Sequence, residues 1–271
     1  MNKTIDIGKA ITHLFDDPEW ISKTAIGASL SVVPILNFTV VGYELRLIRN
    51  VSKGEARPMP SWSDFGDMFI EGLWLGLARI IYSLPAVVAI LLGIMTFYGA
   101  IFAGAIATDS QGGDPNPAVG GFVLFGMLGG GLFCGLGVLY TVLLGLLSPA
   151  IAANFVREKT FASCFNFGQI IALIRRNPNP YFMVWVTALL AGVIYLGISS
   201  VASVLLCLSF LVLYPAVFWM YTMIAHATGQ FLALAEAPSI DSPSEAPPLQ
   251  PSSSDPSSSS SPDSQATIVG D

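Results

Sequence analysis

Residues able to act as acids, bases, nucleophiles or metal ligands are few in this chain and lie far apart. The two histidines, His13 and His226, are separated by most of the sequence, and Cys134, Cys164 and Cys207 form no Cys-x-x-Cys pair. Neither a structural zinc site nor a disulfide framework is implied. No Ser/His/Asp order, paired catalytic carboxylates or nucleotide motif stands out, and the glycine run over residues 120–137 lacks the Gly-Lys-Ser/Thr of a phosphate loop. The sequence therefore predicts no catalytic residue, no cofactor and no metal, and a protein that is not an enzyme. One group with a definite chemistry is Arg46, Arg49 and Lys53, spaced three and four apart on one helix face. Such a face either grips anionic lipid headgroups, at about 1 kcal/mol per basic residue, or serves as ordinary positive-inside anchoring. Glu71, Arg79 and His226 are the ionisable groups closest to the apolar segments. Charge inside a membrane hints at function, and the sequence places these three at helix ends, where long side chains snorkel to water. His13 is expected on a solvated face.

The elements that must position these residues are membrane helices. Of 271 residues, 53% are hydrophobic and 11% charged, with a mean hydropathy of +0.67. An ordinary soluble domain carries about a quarter charged residues. The net charge of -6 belongs to the end of the chain: residues 237–271 hold five acids, no base, 12 serines and 7 prolines. This acidic tail is expected to be disordered, and residues 1–236 to form the helical membrane domain. Without a basic stripe, nucleic acid is excluded as a partner; the lipid bilayer, anionic lipids included, and a homo-oligomer or protein partner remain.

Residues 5–17 carry Ile7, Ala10, Ile11, Leu14 and Phe15 on one stripe, with Lys9, Thr12, His13 and Asp16 opposite. That is an amphipathic helix too short to span, expected flat on the membrane surface. Residues 20–33 and 36–50 read as two short helices turning at Pro34 and Asn37. A hairpin keeps Lys3, Lys9, Lys23, Arg46, Arg49, Lys53 and Arg57 on one side, whereas a single crossing would split them. Asp64 is expected to cap a further helix. The charge-free run 80–107 then spans with tilt, with a kink near Pro85. Residues 108–118 read as an outside loop and 119–148 as the next span, with 149–176 inside. The apolar region beyond Pro180 is divided by a turn at residues 197–200. Gly126 and Gly130, and Gly131 and Gly135, put small residues along one span, suited to close helix packing within the chain or in a homodimer.

Three segments share a pattern: Asp6-Ile7-Gly8-Lys9, Asp64-Phe65-Gly66-Asp67 and Asn166-Phe167-Gly168-Gln169. In each the first residue is a good helix N-cap. The first and third also share the interval to Asp17-Pro18 and Asn177-Pro178, with Trp20 and Tyr181 soon after. This suggests an internal repeat over 5–107 and 161–235. The stretches DIGKAITHLFDDPEW, PILNFTVVGYELRLIRNVSKGE, WSDFGDMFIEGL, FNFGQIIALIRRNP and AHATGQ resemble the prokaryotic membrane proteins grouped as domain of unknown function 4013, over about residues 5–231. The resemblance implies a multi-helix prokaryotic membrane protein and carries over no activity, cofactor or catalytic residue.

The sequence thus predicts an all-α polytopic membrane protein. It has a short N-terminal helical hairpin, about four further transmembrane helices and amphipathic helices on the cytoplasmic side. It is expected in the prokaryotic inner membrane or an internal membrane, both termini cytoplasmic. Its expected role is a non-enzymatic membrane component that associates with lipid or protein partners. The rival is a small-molecule transporter of two repeat units, which requires polar groups converging near a broken helix; Pro34 to Asn37 is the candidate.

Overall fold

The computed structural model describes residues 4–110, 112, 116–204 and 209–237. The tail and the connection between the last two helices lie outside the described residues. The described chain contains no strand and is built from α1 (Ile7–Thr12), α2 (Trp20–Val32), α3 (Asn37–Ser52), α4 (Phe65–Ser110), α5 (Pro117–Glu158), α6 (Phe167–Arg176), α7 (Pro178–Val204) and α8 (Ser209–Glu236). Short 3-10 turns, Trp62–Asp64 and Phe161–Phe165, lead into α4 and α6. The last four long segments, Trp62–Ser110, Pro117–Glu158, Pro178–Val204 and Ser209–Glu236, are each long and apolar enough to cross a membrane. The chain is an all-α protein with four such helices.

Local sequence explains most boundaries. The Asp6 carboxylate accepts the Lys9 N–H at 2.9 Å, and the Asn166 amide oxygen accepts the Gln169 N–H at 3.2 Å. Each satisfies one of the donors that a helix start leaves free. Gly8 and Gly168 sit beside these caps, where an added Cβ would lie 3.3 and 3.5 Å from the capping oxygens. Asp64 differs: it ends a 3-10 turn and gives its carboxylate to Arg46 Nη1 at 2.7 Å, while a Cβ on Gly66 would meet nothing. Pro117 and Pro178 open α5 and α7, where a missing N–H costs nothing. The α2–α3 hairpin turns over residues 33–36, with Pro34 exposed and Asn37 the first residue of α3.

Two expected boundaries are corrected. The helix expected over 5–17 stops at Thr12, after which Phe15 and Asp17 donate to the Thr12 and Leu14 carbonyls in tighter i→i+3 turns. The turn expected at residues 197–200 is absent, and α7 runs through it to Val204. There the Ser199 and Ser200 hydroxyls donate to the Leu196 carbonyl and Ser203 to Ser200. A serine whose hydroxyl bonds its own helix backbone no longer competes with it.

Packing divides the long helices into two pairs. α4 and α5 run against each other along their length, with Gly93 facing Gly130, Gly126 facing Ala100, Gly104 facing Val123 and Gly137 facing Ile90. α7 packs on α8, and α3 lies between α4 and α8. The densest core gathers where α3, the start of α4, the end of α5, α6 and the end of α8 meet, around Leu45, Ile48, Leu75, Ala150, Ile170 and Phe231. Away from it the pairs expose apolar side chains, such as Met95 (71%) and Phe125 (79%).

Candidate functional site

A cavity with polar lining lies where the two helix pairs meet. Glu44 sits within the apolar run of α3 and is 7% exposed, because its neighbours Tyr43 and Leu45 are buried to 0% and carry the helix into the core. Arg79, on α4, reaches its carboxylate with Nη2 3.4 Å from Oε2. Burial raises the Glu44 pKa, against the lowering effect of the Arg79 charge and hydrogen bond. The pair borders a cavity of about 350 Å³ between α3, α4, α5, α7 and α8. Ser148 and Tyr221 add hydroxyls to its lining, and Ile48, Ala152, Ala188 and Ile224 add apolar wall. Pro149, inside α5, has no N–H to offer the carbonyl of Gly145, four residues earlier, and both residues line the cavity. One turn away, the Leu146 carbonyl accepts from the Tyr181 hydroxyl and from Trp185 Nε1 at 3.2 Å, which ties α7 to α5.

This site differs from the sequence expectation in position. Arg79 lies well within α4 and not at a helix end, and its side chain, 37% exposed, reaches Glu44. Glu44 was not singled out; the signal was a lone acid in the run VVGYELRLI. The turn at Pro34 and Asn37, proposed as the polar convergence of a transporter, instead carries exposed Val33 and Ile35.

The basic face of α3 is charge-matched within the chain. Arg46 lies 2.7 Å from Asp64 and 3.9 Å from Asp67, and Arg49 lies 3.1 Å from Glu71. Arg46 thus faces Asp64 in the turn before α4 and Asp67 on α4, Arg49 faces Glu71 on α4, and Lys53 caps the end of α3. Of the four α5 glycines expected to pack helices, Gly126 and Gly130 face α4, where a Cβ would fall 2.1 Å from Ala100 Cβ and 2.7 Å from the Gly93 carbonyl oxygen; at Gly131 and Gly135 it would meet nothing.

His13 overturns its expectation, being 3% exposed. α1 turns that face onto α8, stacking His13 on His226 at a centroid distance of 4.7 Å. His13 Nδ1 donates to the Ala10 carbonyl at 2.8 Å, and its Nε2 has no hydrogen-bond partner among the described residues. Gln230 fastens the two helices, accepting the Asp6 N–H at 2.7 Å and donating to the Asp6 carbonyl at 3.1 Å. Burial lowers the His13 pKa to about 4, outweighing the Ala10 hydrogen bond and the Asp16 charge, which raise it. A histidine held neutral in the fold and protonated once released favours docking above its ordinary pKa of 6.5 and loses that advantage as pH falls toward 4. The loss is expected to reach about 3 kcal/mol, at about 1.4 kcal/mol per unit. Trp219 donates its indole N–H to the Ile11 carbonyl at 3.2 Å, so its fluorescence should report the release of α1. A pH-independent signal, or the same pH dependence in His13→Phe, would contradict this.

Against this geometry, one comparison decides the chain's family. The family described as "Protein of unknown function (DUF4013)" matches residues 26–208. The chain belongs to the DUF4013 family. The match is narrower than the span over which the sequence motifs resemble the family. It includes Glu44, Arg79 and Ser148, and it leaves out α1, the His13–His226 stack and Tyr221. No curated protein and no solved structure matches the chain.

Proposed function

We propose that this DUF4013 protein is a non-enzymatic membrane component that associates with lipid, using its two apolar helix pairs as the lipid-facing part and its densely packed end as the base. The observation that supports this is the way the pairs meet. α4 makes little direct contact with α7 or α8, and the pairs join chiefly through α3, which packs on both α4 and α8, with smaller contributions from α5 against α8 and the hydrogen bonds to Leu146. Exposed Leu91, Leu128, Leu189 and Val193 lie on helix faces that no described element covers; acyl chains are a surface suited to cover them. On this reading the basic residues of the α3, α5 and α6 ends lie in the cytoplasm of a prokaryote, with both chain termini on that side. The capped helix and following hairpin at α1–α3 and at α6–α8 are two copies of one unit.

The test is lipid composition. Protein extracted directly from membranes in polymer-bounded discs should retain several lipids per chain after exchange into detergent, in proportions unlike the bulk membrane. Bulk proportions, or complete loss of lipid on exchange, would overturn the reading. A second reading, transport of a small solute, is favoured by the polar cavity at Glu44 and Arg79. Accumulation of small zwitterionic solutes by proteoliposomes above that of empty vesicles would select it.

A further inference from the structure

We propose that the cavity bordered by Glu44 and Arg79 binds a zwitterion, its anionic group on Arg79 and its ammonium on Glu44, and that the phosphoethanolamine headgroup of a membrane lipid supplies it. The proposal rests on the lipid-associating reading for the source of the ligand, not for the site itself.

A buried ion pair is stable in a protein only when further hydrogen bonds satisfy both groups. Elsewhere in this chain that condition holds: Lys23 Nζ sits 2.7 Å from Asp17 and also donates to the Met59 carbonyl. The Glu44–Arg79 contact is a single one at 3.4 Å, and neither side chain makes another hydrogen bond among the described residues. A guanidinium carries five N–H donors, so most of its capacity is unspent. Around it, Ser148 and Tyr221 bring hydroxyls that bond no protein group among the described residues, and Pro149 leaves the Gly145 carbonyl without its helical donor. The site therefore offers donors for an anion and acceptors for an ammonium at once.

Charge selects between ligands. An anion alone would draw Arg79 from Glu44 and strand a buried carboxylate, and a cation alone would part the guanidinium, 37% exposed, from its one ion-pair partner among the described residues. Only a ligand with both signs separates the pair without leaving either charge uncompensated. A volume of about 350 Å³ is at the small end for ligand pockets and suits a headgroup better than a whole lipid. The residues beside the lining, Leu143 and Leu189, are 50% and 62% exposed and give the attached chains an apolar path along the helices.

The experiment uses the full chain in discs of equal phosphatidylethanolamine and phosphatidylglycerol, with retained lipid counted by native mass spectrometry. The wild type should hold one phosphatidylethanolamine per chain at about tenfold preference. Glu44→Gln should invert that preference toward phosphatidylglycerol, because Arg79 is then an unopposed cation, an outcome that misfolding does not mimic. Tyr221→Phe, which keeps the ion pair, should weaken the preference without inverting it. In a second arm, soluble phosphoethanolamine is titrated into delipidated protein by calorimetry. Binding there that Glu44→Gln abolishes, with no lipid preference in discs, would support the zwitterion site and overturn its lipid source together with the lipid-associating reading. Absence of preference in discs together with absence of calorimetric binding would overturn the site, leaving the lipid composition of native discs to judge the broader reading.

Discussion

Substituting Gly42 by alanine is expected to prevent stable folding, and Gly72→Ala is expected to do the same. At the crossing of α3 and α4 the backbones touch: a Cβ on Gly42 would lie 1.8 Å from the Met68 carbonyl oxygen, and one on Gly72 would lie 1.8 Å from the Phe38 carbonyl oxygen. Both obstacles are helix backbone, which cannot swing aside as a side-chain tip can. Overpacking a core typically costs about 1–3 kcal/mol when side chains can adjust; here the expected cost is above about 3 kcal/mol, because two helices must separate. Their separation would also pull apart Arg46–Asp64 and Arg49–Glu71, which bridge the same helices. The control is Gly131→Ala or Gly135→Ala, where a Cβ meets nothing and helix propensity favours alanine by up to about 1 kcal/mol. Thermal unfolding in detergent by circular dichroism compares the two pairs. Equal melting temperatures for Gly42→Ala and Gly131→Ala would refute the close crossing.

The second large effect is expected at Lys23. Its ammonium lies 2.7 Å from Asp17, donates to the Met59 carbonyl at 3.3 Å and has Glu19 at 3.9 Å. Both Lys23 and Asp17 are buried, at 8% and 5% exposure. The Trp62 indole N–H donates to the Lys23 carbonyl at 3.2 Å, so this one residue joins the start of α2 to the connection before α4. Lys23→Met leaves Asp17 as a buried charge without its cation, and breaking such a pair costs about 3–5 kcal/mol. The double variant Lys23→Met with Asp17→Asn removes the stranded charge and should recover part of that loss. Denaturant unfolding of the two single variants and the double variant gives the coupling. A coupling below about 0.5 kcal/mol, the usual scatter of independent sites, would mean that the two charges are solvated separately and that the pair contributes nothing to the fold.

Much of this was legible in the residues. Long apolar runs in a chain with few charges specify helices long and apolar enough to cross a membrane, because only intrahelical hydrogen bonds satisfy a backbone inside lipid. Pro34 marks the α2–α3 turn, since a proline disfavours the helix that would run through it, although the longer helices α4, α5 and α8 accommodate Pro85, Pro149 and Pro215. Asp6 and Asn166 mark helix starts because a short polar side chain reaches its own backbone without help from the rest of the fold. These are local effects, set within a few residues of chain.

Tertiary structure decided what depends on which helix lies beside which. His13 has a polar neighbourhood in sequence, yet α1 lays that face against α8 and buries it on His226. Asp64 has the form of a helix cap, but Arg46 on α3 takes its carboxylate. The glycines that matter most for packing are Gly42 and Gly72, each ordinary in sequence, because only the crossing of α3 and α4 brings a backbone carbonyl oxygen to 1.8 Å from where each Cβ would sit. Glu44 and Arg79 lie 35 positions apart and become a site only when five helices come together to line the cavity they border. Periodicity tells which face of a helix is apolar; it holds no information about the partner that face will meet, and burial, pairing and cavity shape are all properties of the partner.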